Sequence, residues 1–307
     1  MPKSQPSVSI IGLGLMGSAI ASTFLGKGWK TTIWNRSSAK AAPLATKGAI
    51  VAASPANCIQ ASDLIIVCLL NTVVYHQVLK VCTADLCKDQ TLINFTTCAP
   101  SDAESSKKAA ADAGFSAYIQ GVIMTMPNYV GRPESIFWYS GNETAFKAQK
   151  EALEVLGTPL FIDNDVTSSV IYDAIHLNGF YGLVSGYLHS MTLLRNCKLY
   201  VPGAAQQFTK DILAPSLAHA NELLAEIARQ VDEKDYLTKG DGARLGQHIH
   251  GLDIFKRTNE ENGVSSLVFD PLIQAIKMRI SQGGEDEELG GLVEVLTTGN
   301  QDGPNIG

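Results

Sequence analysis

Apolar positions in the first half of the chain keep two alternating rhythms. Short runs rich in β-branched residues fall at 8–11, 31–34, 49–51, 64–69 and 91–94 and read as buried strands. Between them apolar residues recur at helical spacing over 15–26, 37–47, 55–60, 73–80 and 100–113. Such alternation predicts an α/β domain: a parallel sheet with helices on both faces. Strands at 117–122 and 135–139, a helix at 143–156 and a short edge strand at 161–162 extend it. From about Val166 no strand pattern follows. Val166 to Lys198 contains no proline and predicts a helix of ~50 Å at about 1.5 Å per residue. Gly179, Gly182 and Gly186 weaken it intrinsically, so packing must compensate. Helices follow at 203–213, 216–231, 234–238, 241–258 and 267–280, and the tail from Thr297 reads as disordered. The chain thus divides into an α/β domain, 1–165, and 166–307, an interdomain helix with an all-helical remainder. A helical half of this kind is short of partners, and dimerisation would cover it.

One stretch carries a chemical signature. Between the first strand and first helix lies Gly12-Leu13-Gly14-Leu15-Met16-Gly17. In that setting the first glycine permits a tight turn, the second lets a pyrophosphate approach, and the third lets helix and strand pack. The helix N-terminus offers free N–H groups to the phosphates. The loops beyond the carboxyl ends of other strands complete such a site. They place Leu69 and Leu70 by the ribose side and Asn94-Phe95-Thr96 near the nicotinamide. Asn94 equally suits a residue that ends a strand and bonds its own turn.

The end of the second strand selects the cofactor. NAD-specific sites place a carboxylate there, roughly 20 residues beyond the glycines. This chain has Asn35-Arg36-Ser37, with Lys40 one turn later. Arg36 can pair with a 2′-phosphate and Ser37 can donate to it, so NADPH is expected. The plainer role is a turn and helix cap with Arg36 solvated.

Composition narrows the class. The chain has 307 residues, 45% hydrophobic, with a net charge of −6. No basic run suggests a nucleic-acid partner, and no apolar stretch reaches the ~18 residues of a membrane span. Six cysteines are scattered without a CxxC, and the first residues, MPKSQPS, are polar. Both suit a reducing cytoplasm. His248-Ile249-His250 has only Asp253 at helical spacing, so no metal is expected.

A candidate acid lies in the long helix. Asp173 sits among Val170, Ile171, Ala174, Ile175 and Leu177, where a carboxylate is costly unless paired or facing a cleft. Tyr181 lies ~80° around and ~12 Å along the same helix, so the two can line one wall. His176 shares the side of Asp173. The alternative has Asp173 in solvent, stabilising the helix dipole. Met124 and Thr125-Met126-Pro127 suit an apolar pocket rim, or core packing.

The chain resembles the imine reductase and reductive aminase family, especially its fungal members, which is related to β-hydroxyacid dehydrogenases. The carriers are IGLGLMGSAIA, WNRSSAK, DLIIVCLLN, LINFT, YIQGVIMTMP, FWYSG and YDAIHLNGFYGLVSGYLH; GGEDEELGGLVEVL resembles the family's C-terminal helix. The resemblance implies a Rossmann domain, a long interdomain helix, a helical dimerisation domain, and interlocked homodimers whose active sites use both chains. It implies NADPH-dependent reduction of imines and iminium ions, extending to reductive amination of ketones with amines. Asp173 matches the family's active-site acid, Tyr181 its companion, and Asn94 the residue beside the nicotinamide. The related dehydrogenases carry Lys at the Asp173 position and a Ser-Gly-Gly that this chain lacks, having Gly121-Val122-Ile123-Met124 instead. Ser216 stands where fungal members commonly have Trp, and Gln247-His248 where they have Met-Gln. Those three residues and His176 are expected to shape the substrate pocket. A β-hydroxyacid-type dehydrogenase and a non-catalytic NADPH sensor remain the rival readings.

Overall fold

The computed structural model describes residues 5–218, 220–239 and 242–297. It contains two compact units, one running through Asn178 and the other starting at Gly179.

The first unit is built on a sheet of eight strands. These are β1 (Ser7–Ile11), β2 (Lys30–Trp34), β3 (Ile50–Val51), β4 (Leu64–Val67), β5 (Thr91–Asn94), β6 (Ala117–Met124), β7 (Ile136–Gly141) and β8 (Thr158–Asp163). Their spatial order is β3-β2-β1-β4-β5-β6-β7-β8. Strands β1 to β6 pair in parallel, β7 runs antiparallel to β6, and β8 runs parallel to β7. Successive side chains in a strand point to opposite faces. Ile10, Ile66, Ile93 and Ile119 therefore pack on one side with Phe24 and Leu153. Ile11, Ile65, Val67 and Leu92 pack on the other with Ile59 and Tyr75. A sheet covered on both faces needs the near-continuous apolar strands seen in the sequence. The order reverses at β1, which lies between β2 and β4, so the crevice opens beyond the carboxyl ends of β1 and β4.

Several helices depart from their expected form. The helix expected at 37–47 is a 3-10 turn, Ser38–Lys40, followed by Ala42–Ala45. The one at 143–156 is two helices, Glu143–Ala148 and Lys150–Leu156. A short helix, Ala84–Cys87, has too little periodicity to be read from sequence.

The long helix runs Val166–Asn196, beginning in the first unit and continuing in the second. The second unit has its own small core of Leu245, Ala275, Ile276 and Leu292. There Arg279 grips Glu287 with two hydrogen bonds of 2.7 Å. The helix expected at 234–238 does not form. Lys234 takes a left-handed backbone (φ 51°) after the Ala220–Glu233 helix, and Leu237 pairs with Glu287 as a β-bridge. The glycine-rich segment near the C-terminus forms a 3-10 helix, Leu289–Glu294. A Cβ on Gly290 would stand 2.9 Å from Gln230 Cβ, so the two segments approach closely here. The expectation for the tail beyond Thr297 lies outside the described residues. Among the described residues no helix is long and apolar enough to cross a membrane.

Candidate active site

The glycine loop joins β1 to the Leu15–Gly26 helix, and its glycines have separate physical roles. Gly12 has φ 99°, and a Cβ there would stand 2.2 Å from the carbonyl oxygen of Cys68. A Cβ on Gly17 would come within 1.9 Å of the carbonyl oxygen of Gly12. Both are therefore fixed by the fold. A Cβ on Gly14 would meet nothing within 4 Å. Gly14 begins the helix, no side chain caps it, and no acid sits in its first turn. Its N–H groups are left for an anion.

A cleft of about 640 Å³ opens over this loop. It brings together Gly12, Gly14, Leu15, Met16 and Gly17 with Asn35, Arg36, Ser37 and Lys40 from the end of β2, and Leu69 and Leu70 from the end of β4. Its charged lining is Arg36 and Lys40, with no carboxylate. Asn35 is half-buried and structural as well: its Oδ1 accepts from the N–H of Leu13 at 2.9 Å, and its Nδ2 donates to the carbonyl of Ser37 at 3.0 Å. Pro55, Val74 and Gln77 also line the cleft. They were not anticipated, because only the sheet order brings the helices after β3 and β4 to this edge.

A second cavity, about 310 Å³, shares Met16, Cys68, Leu69 and Leu70 with the first. Its wall is otherwise Phe95–Cys98, Gln120–Ile123, Val170 and Asp173. Asp173 is its single charged lining residue. Two connected spaces thus carry opposite charge: cations at the far end of the first, a carboxylate in the second. Asp173 is half-buried, and burial raises its pKa while the charge of His176 one turn on pulls it down. The ring of His176 meets Trp138 edge-on at 6.1 Å. Cys98, on the same wall, was not singled out from sequence; its place in the loop after β5 was the available signal. Burial, Asp102 and Asp173 push its thiol up to about 11.

Asn94 ends β5 but lines neither cavity. It is 1% exposed. Its Nδ2 donates to Tyr118 Oη at 3.1 Å, and its Oδ1 accepts from the N–H of Thr96 at 3.0 Å. Gln120, which does line the second cavity, donates to the carbonyl of Asn94 at 3.0 Å. Met124 closes β6, just past the lining residues Val122 and Ile123.

The remaining candidates belong to the second unit. Tyr181 is exposed on the long helix and stacks edge-on with Phe180. Ser216 is exposed, and its hydroxyl donates to the carbonyl of Leu213 at 3.0 Å. Gln247 accepts from the N–H of Arg244 at 2.9 Å, which caps the Leu245–Glu261 helix, and half-buried His248 follows it. Among the described residues no group of three or more His, Cys, Asp or Glu side chains is arranged to hold a metal ion.

Comparison with known proteins agrees with this architecture. Residues 7–170 match the NAD binding domain of 6-phosphogluconate dehydrogenase, and residues 165–298 the C-terminal domain of NADPH-dependent reductive aminase-like proteins. The chain is 34% identical over 293 residues to an NADPH-dependent reductive aminase of Aspergillus oryzae, covering 95% of this chain and 97% of that one. A reductive aminase from Aspergillus terreus, solved with NADPH and ethyl levulinate, superposes with a TM-score of 0.88 at 32% identity, over 96% of this chain and all of that one. The same Aspergillus terreus enzyme type has been solved with cyclohexanone and allyl amine. An imine reductase from a Pseudomonas species gives a TM-score of 0.88 at 26% identity, over 96% of this chain and 100% of that one. The chain belongs to the family of NADPH-dependent reductive aminases.

Proposed function

We propose that this protein reduces imines and iminium ions to amines at the expense of NADPH, and that it accepts a ketone and an amine as precursors of the imine. The observation that carries this is the sign of the charge in the second cavity, where Asp173 stands alone. Hydride addition to a carbonyl builds negative charge on oxygen and calls for a cation. Addition to an iminium removes positive charge, and an anion holds that cation in place. At ~4 Å and an effective dielectric constant of about 20 such a pair interacts by about 4 kcal/mol. The absence of a lysine at this position weighs against a hydroxyacid dehydrogenase.

The cleft fits NADPH: open space over Gly14, an uncapped helix start, and Arg36, Ser37 and Lys40 for a 2′-phosphate. When bound, NADPH supplies the hydride. Asp173 orients the substrate nitrogen and exchanges its proton. Tyr181 offers a hydrogen bond. Asn94 acts from behind the wall, holding Tyr118 and the Thr96 backbone in place. His176 and Met124 shape the amine and ketone pocket beside Asp173, and Ser216, Gln247 and His248 are the substrate-contacting residues proposed for the second unit. The pairing of cyclohexanone with allyl amine in an Aspergillus terreus relative supports the two-substrate extension.

A homodimer with shared active sites is part of this reading. It is supported by apolar side chains left exposed along the long helix, including Ile175 (63%), Tyr181 (63%) and Leu188 (59%). Six free cysteines support a reducing, cytoplasmic setting. The test is NADPH absorbance followed at neutral pH, first with a cyclic imine and then with ketone plus amine. Consumption in both supports the proposal. Tight NADPH binding without consumption would favour a sensor, and NADP reduction by a 3-hydroxy acid a dehydrogenase.

A further inference from the structure

Among the described residues, several buried polar atoms lack a hydrogen-bond partner, and the hydroxyl of Thr96 is one of them. Thr96 is 1% exposed and lies on the wall of the cavity that holds Asp173. Its main chain is engaged on both sides. The N–H donates to Asn94 Oδ1 at 3.0 Å, and the carbonyl accepts from Gln120 Nε2 at 3.5 Å. The backbone is thus pinned while the side-chain hydroxyl has nothing to bond. The surrounding wall offers it little: Phe95, Gly121, Val122, Ile123 and Val170 present apolar surface, and Gln120 is spent on backbone carbonyls and on Tyr118. A buried hydroxyl without a partner is destabilising, and a native fold that retains one calls for an explanation.

We propose that the Thr96 hydroxyl is a positioning group for the nicotinamide ring of NADPH, bonding to its carboxamide and fixing the ring's rotation. The proposal rests on the reading of the cleft as an NADPH site. Arg36 and Lys40 mark one end of that cleft and Gly14 its middle. The shared residues Met16, Cys68, Leu69 and Leu70 lead from there to the second cavity, which receives the other end of the dinucleotide. The carboxamide is the neutral hydrogen-bonding group at that end, suited to a neutral hydroxyl, whereas the cationic substrate is matched by Asp173. Rotation about χ1 carries the hydroxyl of a threonine from one staggered position to another without moving its backbone. Thr96 can therefore turn its hydroxyl to the ring as the ring seats.

The test compares wild type with Thr96→Val and Thr96→Ser. Dissociation constants are measured for NADPH and for 2′-phospho-ADP-ribose, which lacks the nicotinamide, together with the melting temperature of the ligand-free proteins. Thr96→Val should weaken NADPH by about fivefold, the scale of one neutral hydrogen bond, leave the fragment unchanged, and melt at or above wild type. Thr96→Ser should keep the wild-type affinity. Unchanged NADPH affinity in Thr96→Val would overturn the proposal. So would equal weakening of NADPH and fragment, or a lowered melting temperature, since either would show a structural role. A wild-type protein that fails to bind NADPH would remove the underlying reading of the cleft, and this proposal with it.

Discussion

The side-chain oxygen of Asn35 accepts a hydrogen bond from the backbone N–H of Leu13 at 2.9 Å. The bond straps the end of β2 to the middle of the glycine loop. Asn35 also donates to the carbonyl of Ser37 at 3.0 Å, which sets the path of the chain through Arg36. A neutral amide thus occupies the place where a carboxylate would repel a 2′-phosphate.

This division of labour predicts two different phenotypes. Arg36→Ala should raise the dissociation constant for NADPH by about 10- to 100-fold, the range of a lost charge-assisted hydrogen bond, and leave that for NADH nearly unchanged. Asn35→Ala should weaken both cofactors by a similar factor, because it loosens the loop that both use. Fluorescence titration of each variant with each nucleotide distinguishes them.

Gly14 and Gly17 should likewise part company. A methyl at Gly17 collides with the carbonyl oxygen of Gly12, whereas one at Gly14 stands in the open cleft. Gly17→Ala is expected to lower the melting temperature of the ligand-free protein by several degrees, as a clash with backbone must be relieved by movement. Gly14→Ala should melt like wild type and bind NADPH poorly. Thermal melts with and without NADPH read out both.

The carboxylate of Asp173 stands in a half-buried position that raises its pKa above the ordinary 3.8. The raised value means that the charged form is disfavoured in the folded state. The penalty is absent below the unfolded carboxylate's value, develops as pH rises through the window up to the folded value, and is complete above it. Asp173→Asn removes the penalty. It should therefore melt above wild type at about pH 7 without ligand, and the gap should close as pH falls to about 3. Melting curves across that range give the sign directly.

His176 acts in the opposite direction to burial. Its charge lowers the pKa of Asp173, and Trp138 holds its ring edge-on at 6.1 Å. Replacing it by Phe keeps a ring against Trp138 but removes the charge. The acid limb of kcat/KM for an imine should move to higher pH in His176→Phe. A pH–rate profile of both proteins checks this.

Much of this was legible in the sequence because it depends on local pattern. The strand at β1, the glycines and the helix at Leu15–Gly26 are consecutive, so their order alone placed the cleft. The long helix announced itself by length and the lack of proline. What resisted reading depends on partners far along the chain. The inward turn of Asn94 is set by Tyr118 and Gln120, on a strand that pairs with its own. The side chain of Gln247 accepts from the N–H of Arg244, a helix cap that hydrophobic periodicity does not show. The unspent hydroxyl of Thr96 is visible only once every neighbour has been placed.

The most direct test of the central claim is steady-state turnover of a preformed cyclic iminium by wild type and Asp173→Asn, a change that removes charge and little else. The account predicts that kcat/KM falls by about 100- to 1,000-fold, in line with a loss of ~3–4 kcal/mol, while the dissociation constant for NADPH stays the same. Turnover by Asp173→Asn at the wild-type rate would contradict it.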